Sequence, residues 1–230
     1  MIKEFKIDNK KIQIHYKDTE LKELPVVVLN TFENEGEAVY NKCIDLKCKK
    51  FILVSISNLD WNNDMTPWFA PKLNKNDVDC LGKADDYLKV LVNDIIPKAK
   101  DYIEEVLNTK AQYFAIAGYS LGGLFAIYSS YKTTIFTRIA SASGSFWFPK
   151  FIEFAQENKL KADVKKIYFS LGNKESKVKN KVLATVENNT KELEKLLNDK
   201  GIKTIYEENE GNHFQNADLR MAKGIKWILE

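Results

Sequence analysis

Residues 112–131 read QYFAIAGYSLGGLFAIYSSY, two apolar runs joined by a glycine-rich turn. The first run, residues 113–117, has the length and residue types of a buried strand, and residues 121–131 are predicted to form a helix. Ser120 lies between them, with Gly118 two residues before it and Gly122 two residues after it. This G-x-S-x-G pattern is typical of a nucleophilic serine on a sharp strand-to-helix turn, which needs small neighbours. The alternative is a glycine-rich turn whose serine caps the helix.

The rest of the chain alternates in the same way between strand and helix. Strands are predicted at residues 2–7 and 12–16, as an antiparallel pair, and at 25–29, 51–56, 113–117, 138–141, 167–171 and 204–207. Helices are predicted at residues 35–48, 77–107 with a break at Pro97, 121–131, 182–197 and 217–229. This order indicates an α/β fold in one domain, residues 1–230, with a mostly parallel sheet covered by helices on both faces.

Composition narrows the class of partner. The chain is 44% hydrophobic, and its 35 basic and 32 acidic residues leave a net charge of +3, which gives no reason to expect nucleic acid or an anionic membrane. It lacks a signal-peptide pattern and any run of about 20 apolar residues, so we expect a cytoplasmic protein without a membrane span. Three cysteines without C-x-x-C spacing favour reduced thiols, with no disulfide framework, metal or cofactor. The sequence does not indicate an oligomeric state.

A nucleophilic serine needs a base, and the chain has two histidines. His15 is in phase with Gln13 and Lys17, so it is predicted on a polar strand face. His213 follows the last predicted strand in a loop, downstream of Ser120, and is therefore the candidate base. The competing interpretation of His213 is an ordinary surface loop histidine.

The third member of a triad would be an acid after the strand at residues 167–171. Glu175 is the nearest carboxylate there, and it would hold the imidazole in one tautomer. An exposed charge in a lysine-rich turn is the competing interpretation. The order Ser120, Glu175, His213 is the order expected of an α/β-hydrolase. The oxyanion would be bound by the backbone N–H groups of Leu121, at the helix start, and Phe32, in the loop after the strand at 25–29.

Two loops rich in aromatic residues lie at residues 58–76 and 146–149. Their tryptophans, Trp61, Trp68 and Trp147, are candidates for the wall of an acyl or aromatic pocket, and Tyr119 beside Ser120 is a further candidate substrate contact. Packing in the core is the alternative for the tryptophans.

Several stretches resemble the esterase branch of the α/β-hydrolases that includes esterase-D-like and enterochelin-esterase-like enzymes. They are PVVVLN at 25–30, DIIP at 94–97, AGYSLGG at 117–123, SASGSFW at 141–147, LGNKE at 171–175 and GNHF at 211–214. The resemblance implies an α/β-hydrolase fold and cofactor-free serine hydrolysis of a small carboxylic ester, with Ser120 as nucleophile, Glu175 as acid and His213 as base. Asn30 and Thr31 depart from the His-Gly of many relatives. An acyltransferase using the same serine, or a non-catalytic binding protein of this fold, remains an alternative.

Overall fold

In the computed structural model, which describes residues 1–18, 20–75 and 77–230, ten strands and eight α-helices follow one another along the chain. The strands are β1 (Ile2–Ile7), β2 (Lys10–His15), β3 (Glu23–Asn30), β4 (Ile52–Ser57), β5 (Phe69–Ala70), β6 (Cys80–Leu81), β7 (Lys110–Tyr119), β8 (Phe136–Ala142), β9 (Lys166–Gly172) and β10 (Lys203–Asn209). The helices are α1 (Gly36–Asp45), α2 (Trp61–Asp64), α3 (Ala84–Val90), α4 (Ile96–Glu105), α5 (Leu121–Lys132), α6 (Phe151–Glu157), α7 (Val186–Asp199) and α8 (Ala217–Leu229).

The main sheet has the order β1-β2-β4-β3-β7-β8-β9-β10. The strands from β4 to β10 in this order are parallel, and β2 joins them as an antiparallel neighbour of β4, with β1 antiparallel outside it. Helices α1 and α8 pack on one face, where Val39 and Ile225 meet Val27 and Ala117. The other large helices cover the opposite face. The predicted α/β fold, with a mostly parallel sheet between helical layers, is confirmed.

Strand β3 runs from Glu23 to Asn30, longer at both ends than the predicted 25–29. Its pairing with β7 shifts register between Leu24 and Val26, so the irregularity lies at Pro25. Proline has no backbone N–H to give to the ladder, which explains why the regular pairing resumes only after it.

The predicted helix at residues 77–107 is wrong at its start. Cys80–Leu81 is a strand paired with Phe69–Ala70, and the helix begins at Ala84. The predicted break at Pro97 is a change of helix type: Leu91–Ile95 is π-helical, the Ile96 N–H donates to the Leu91 carbonyl, and α4 starts with the proline in its first turn. Proline tolerates this place because no N–H is needed there. The predicted aromatic loop ends at Asn76, which lies outside the described residues.

Two other helices differ from the prediction at their ends. The helix predicted at 35–48 ends at Asp45, and Lys47 adopts a positive φ of 56° as the chain reverses. The helix predicted at 182–197 opens with a 3₁₀ turn, Leu183–Thr185, before α7. Within the ranges described, no helix has both the length and the apolar character needed to cross a bilayer.

His15 does not lie on a polar strand face, as its phase with Gln13 predicted. Its side chain is fully buried, and its Nε2 lies 2.9 Å from the hydroxyl of Ser55 on β4. The N-terminus of α1 covers it, since a Cβ on Gly36 would lie only 3.1 Å from the same nitrogen. The alternation of β2 marks a face correctly, but a helix from elsewhere in the chain buries that face.

Candidate active site

Ser120 occupies the turn between β7 and α5. Its backbone has φ 57° and ψ −124°, a conformation that non-glycine residues adopt only when their surroundings impose it. Gly118 makes the turn possible, because a Cβ there would lie 2.2 Å from the carbonyl oxygen of Gly122. The Ser120 N–H donates to Ala142 at the end of β8, which ties the turn to the next strand. The serine is therefore held at the carboxyl edge of the sheet.

Two backbone N–H groups near Ser120 are free to bind a ligand. Within the described residues, neither the Leu121 N–H nor the Phe32 N–H has a hydrogen-bond partner. Leu121 is the first residue of α5, where the helix dipole is positive. The loop that carries Phe32 is fixed just before it: Thr31 donates through its N–H and its hydroxyl to the Ile56 carbonyl, both at 2.9 Å, and Tyr87 donates to Asn30 at 2.5 Å.

His213 lies in the loop between β10 and α8, within reach of Ser120. Its Nε2 is 3.0 Å from the Ser120 hydroxyl oxygen, and its Nδ1 is 2.7 Å from Oε2 of Glu175. The Tyr119 hydroxyl donates to the His213 backbone carbonyl at 2.8 Å and so helps to fix the loop. The structure thus brings the three candidates Ser120, His213 and Glu175 into one hydrogen-bonded chain.

Glu175 is buried and ionised, not exposed in its lysine-rich turn. Its Oε1 accepts hydrogen bonds from the Gly172 N–H at 2.6 Å, the Ser143 hydroxyl at 2.8 Å and Arg220 at 3.0 Å. Burial opposes ionisation, but the hydrogen bonds and charge of His213, with the donors at Gly172 and Ser143, outweigh it and hold the pKa of Glu175 below its usual range. Across the described ranges, no cluster of three or more His, Cys, Asp or Glu residues could hold a metal.

Arg220 and Ser143 are two members of the site that the sequence reasoning did not identify. Arg220, on α8, is 1% exposed, and its Nη2 also donates to the Glu210 carbonyl at 2.9 Å. A signal was present, because the chain has only two arginines among its 35 basic residues, and arginine is the cation suited to buried pairs with carboxylates. Ser143 follows β8 and has a positive φ of 48°.

Ser120 lines two cavities. The first, which we call the apolar cavity, has a volume of about 320 Å³ and is lined by residues of β3, α1 and α8, including Leu29, Val39 and Met221, and by residues of the loops around them. The second has a volume of about 640 Å³, and we call it the polar cavity because polar groups take a larger share of its wall than in the first. It is lined by polar residues such as Asn62, Lys72, Ser145 and Glu175, and also by apolar ones such as Trp147 and Val186. Ser120 and His213 border both cavities, so an ester carbonyl at Ser120 would have one substituent on each side.

The aromatic candidates divide between these cavities and the core. Trp61 lines both cavities, Tyr119 lines the apolar cavity and Trp147 lines the polar one. Trp68 lines neither. Its ring packs against Phe151 and three other aromatic rings, those of Tyr128, Phe148 and Phe154, and its indole N–H donates to the Pro149 carbonyl. The structure therefore gives Trp68 a packing position in place of the predicted pocket wall.

Comparison with known proteins agrees with this arrangement. A family model described as "Putative esterase" matches residues 8–218. A relative from Bacillus subtilis (strain 168), "Uncharacterized protein YbbA", is 28% identical over 173 residues, which cover 74% of this chain and 68% of the relative. In structure, the chain resembles the siderophore hydrolase EstA from Aspergillus nidulans, with a TM-score of 0.77, 17% identity and coverage of 100% of this chain and 93% of EstA. It also resembles an IroE-like serine hydrolase from Shewanella oneidensis, with a TM-score of 0.77, 17% identity and coverage of 99% and 79%.

At such low identities the structural likeness shows the α/β-hydrolase fold alone, whereas the family model spans most of the chain. The chain therefore belongs to the "Putative esterase" family and is an esterase.

Proposed function

We propose that Ser120, His213 and Glu175 are the nucleophile, base and acid of a catalytic triad that hydrolyses a small-molecule carboxylic ester through an acyl-enzyme. The observation that carries this proposal is the continuous hydrogen-bonded chain from the Ser120 hydroxyl to His213 at 3.0 Å and from His213 to Glu175 at 2.7 Å. A serine hydroxyl becomes a useful nucleophile near neutral pH only when an adjacent base takes its proton.

In the first half of the reaction, His213 Nε2 takes the Ser120 proton as Oγ attacks the ester carbon. The negative charge on the carbonyl oxygen would be bound by the Leu121 and Phe32 N–H groups, which are unpaired within the described residues. The tetrahedral intermediate collapses when His213 gives its proton to the leaving alcohol. In the second half, His213 takes a proton from water as the water oxygen attacks the acyl carbon. The second tetrahedral intermediate collapses when His213 gives that proton to Ser120 Oγ, which breaks the acyl bond, releases the acid and regenerates the serine.

Glu175 supports both halves by keeping the proton of neutral His213 on Nδ1, which leaves Nε2 free to accept. It also stabilises the imidazolium that forms in each step. Its lowered pKa keeps it ionised at neutral pH, as this role requires.

The test uses two neighbouring serines. The Ser145 hydroxyl is 3.3 Å from that of Ser120, and it is the rival nucleophile in the same cleft. We expect Ser120→Ala to lose p-nitrophenyl acetate hydrolysis by a factor on the order of 10⁴ or more and to lose labelling by a fluorophosphonate probe. Ser145→Ala should keep the label and turn over within a few-fold of the parent. Parental turnover in Ser120→Ala would refute the proposal, and an unlabelled parent would favour the non-catalytic alternative.

A further inference from the structure

We propose that the apolar cavity holds the acyl group of the substrate, and that this group is uncharged and of medium size: an aryl group with a short substituent or a chain of about eight carbons. This inference rests on the proposed function, because it assigns the two sides of an ester attached at Ser120. The walls that carry it are Leu29, Val39, Trp61, Phe214, Ala217 and Met221.

The volume sets the size of the group. A cavity of about 150 Å³ with apolar walls accommodates benzene. The apolar cavity, at about 320 Å³, is roughly twice as large, so it has room for at most about twelve carbon atoms. A chain of about eight carbons leaves the space that a flexible group needs. Acetyl would leave most of the cavity unfilled.

Hydrolysis needs water beside the acyl carbon, and this need assigns the acyl group to the apolar cavity and not to the polar cavity. His213 protonates the leaving alcohol and later deprotonates water, so the alcohol and the water must use the same side of the acyl carbon. The polar cavity has hydrogen-bonding groups that suit water, including Asn62, Lys72 and Ser145. Polar side chains such as Thr31 also line the apolar cavity, but apolar surface makes up a larger share of its wall than of the polar cavity's wall. The alcohol therefore leaves through the polar cavity, and the acyl group remains in the apolar one.

Two of the residues that line the apolar cavity are exposed phenylalanines, and one of them, Phe214, also lines the polar cavity. Phe214, beside His213, is 88% exposed, and Phe32, against Trp61, is 60% exposed. Both line the apolar cavity. An acyl group that covers them removes apolar surface from water, which stabilises binding by about 25 cal/mol per Å². The acyl carbons that reach the mouth of the cavity therefore still contribute to binding.

Charge at the cavity restricts the acyl group further. Among the described residues that line it, Glu35 and Asp218 are acidic and none is a lysine or an arginine. Within the described residues neither carboxylate forms an ion pair. A carboxylate on the acyl group would meet like charge with no cation to offset it, so acyl groups with a terminal carboxylate should be rejected.

The experiment measures kcat/KM for p-nitrophenyl esters with acyl chains of two, four, six, eight and twelve carbons, and for the benzoate. We expect kcat/KM to rise by up to about fourfold per methylene to a maximum near eight carbons, and then to fall. A flat profile, or one that is highest for acetate, would overturn the assignment. Fluorophosphonate labelling of the same samples separates this outcome from failure of the proposed function, which would also abolish labelling.

Variants locate the acyl group. Ala217→Phe should lower the ratio of octanoate to acetate kcat/KM at least tenfold, because the ring fills the cavity. Met221→Ala should move the maximum to longer chains, which keeps the test decisive if the first variant folds poorly. Ala38→Phe, the same substitution on the exposed face of α1, should leave the ratio at the parental value. An unchanged ratio in Ala217→Phe, with labelling intact, would overturn the proposal.

The charge component is tested with the p-nitrophenyl monoester of adipic acid, which matches hexanoate in length but ends in a carboxylate. We expect its kcat/KM to be about tenfold below that of hexanoate, and Asp218→Asn to narrow the difference several-fold. Equal rates on the two esters in the parent enzyme would overturn the charge restriction.

Discussion

Arg220 balances the negative charge of Glu175, the buried acid of the site. Its Nη1 lies 3.0 Å from Glu175 Oε1 and 3.2 Å from the Tyr119 hydroxyl, and it is 1% exposed. Glu175 therefore has a cation on one oxygen and His213 on the other. Removing one partner of a buried ion pair leaves an uncompensated charge. We infer that Arg220 is a positioning residue, which acts on the reaction through Glu175.

Arg220→Met should destabilise the fold by about 3 kcal/mol, and it should also move the acid limb of the kcat/KM–pH profile upward by on the order of one pH unit. The direction follows because the unbalanced Glu175 carboxylate stabilises protonated His213 more strongly. Arg220→Lys keeps the positive charge but not the planar guanidinium group, so the acid limb of its profile should lie close to that of the parent. The profiles would be measured with p-nitrophenyl hexanoate alongside urea unfolding. A loss of stability with an unmoved acid limb would reduce Arg220 to a structural role.

At the scale of the element, the turn from β7 into α5 depends on close backbone contact. A Cβ on Gly118 would lie 2.2 Å from the Gly122 carbonyl oxygen, an atom that cannot rotate away. We expect Gly118→Ala to cost about 3 kcal/mol or more of stability. We also expect it to lower kcat by about 100-fold or more, because the turn must open and Ser120 moves with it.

The matched control for this change is Gly201→Ala, in the turn after α7. Its Cβ would meet nothing within 4 Å, although φ is +87°. It should cost only about 1 kcal/mol, from the strained φ, and leave kcat at the parental value. Chemical unfolding and p-nitrophenyl ester kinetics measure both effects. If Gly118→Ala behaved like Gly201→Ala, close packing at the turn would not be what positions Ser120.

The sequence predicted the elements whose signal is local. Strands such as β4 and β9 appear as apolar runs, and α8 was predicted with its observed bounds. The failures involve distant contacts. The strand Cys80–Leu81 exists through pairing with Phe69–Ala70, and the packing of Trp68 depends on α6, a helix that was not predicted.

The same division holds for the site. The G-x-S-x-G pattern, the choice between two histidines and the chain order selected Ser120, Glu175 and His213 as candidates, and each follows a predicted strand at the same edge of the sheet. Arg220 escaped because it lies on the first turns of α8 and reaches Glu175 across 45 residues of sequence. On an amphipathic helix, the local sequence pattern does not show whether an arginine is exposed to solvent or forms a buried ion pair.

At the scale of the whole molecule, two buried groups make stability depend on pH in separate windows. Burial lowers the pKa of His15 to about 4, from a usual value near 6.5. Between these values the unfolded chain binds a proton that the folded chain does not, so stability from His15 is complete above about pH 6.5 and falls towards pH 4. Glu175 has a lowered pKa, so its contribution is present above the unfolded value and is lost at still lower pH, as the folded carboxyl takes up its proton.

The substitution His15→Gln tests the pH dependence of stability that comes from His15. Glutamine can still hydrogen-bond to Ser55, which His15 contacts at 2.9 Å, but it does not titrate. The free energy of unfolding of the parent should fall relative to that of the variant by about 1.4 kcal/mol per pH unit below pH 6.5, which amounts to about 3 kcal/mol by pH 4. Comparing the two proteins at each pH cancels the carboxylates that they share, and urea unfolding at pH 7, 6, 5 and 4.5 measures the difference. A constant difference across this range would mean that His15 is protonated in the folded state as readily as in the unfolded chain, contrary to its burial beneath α1.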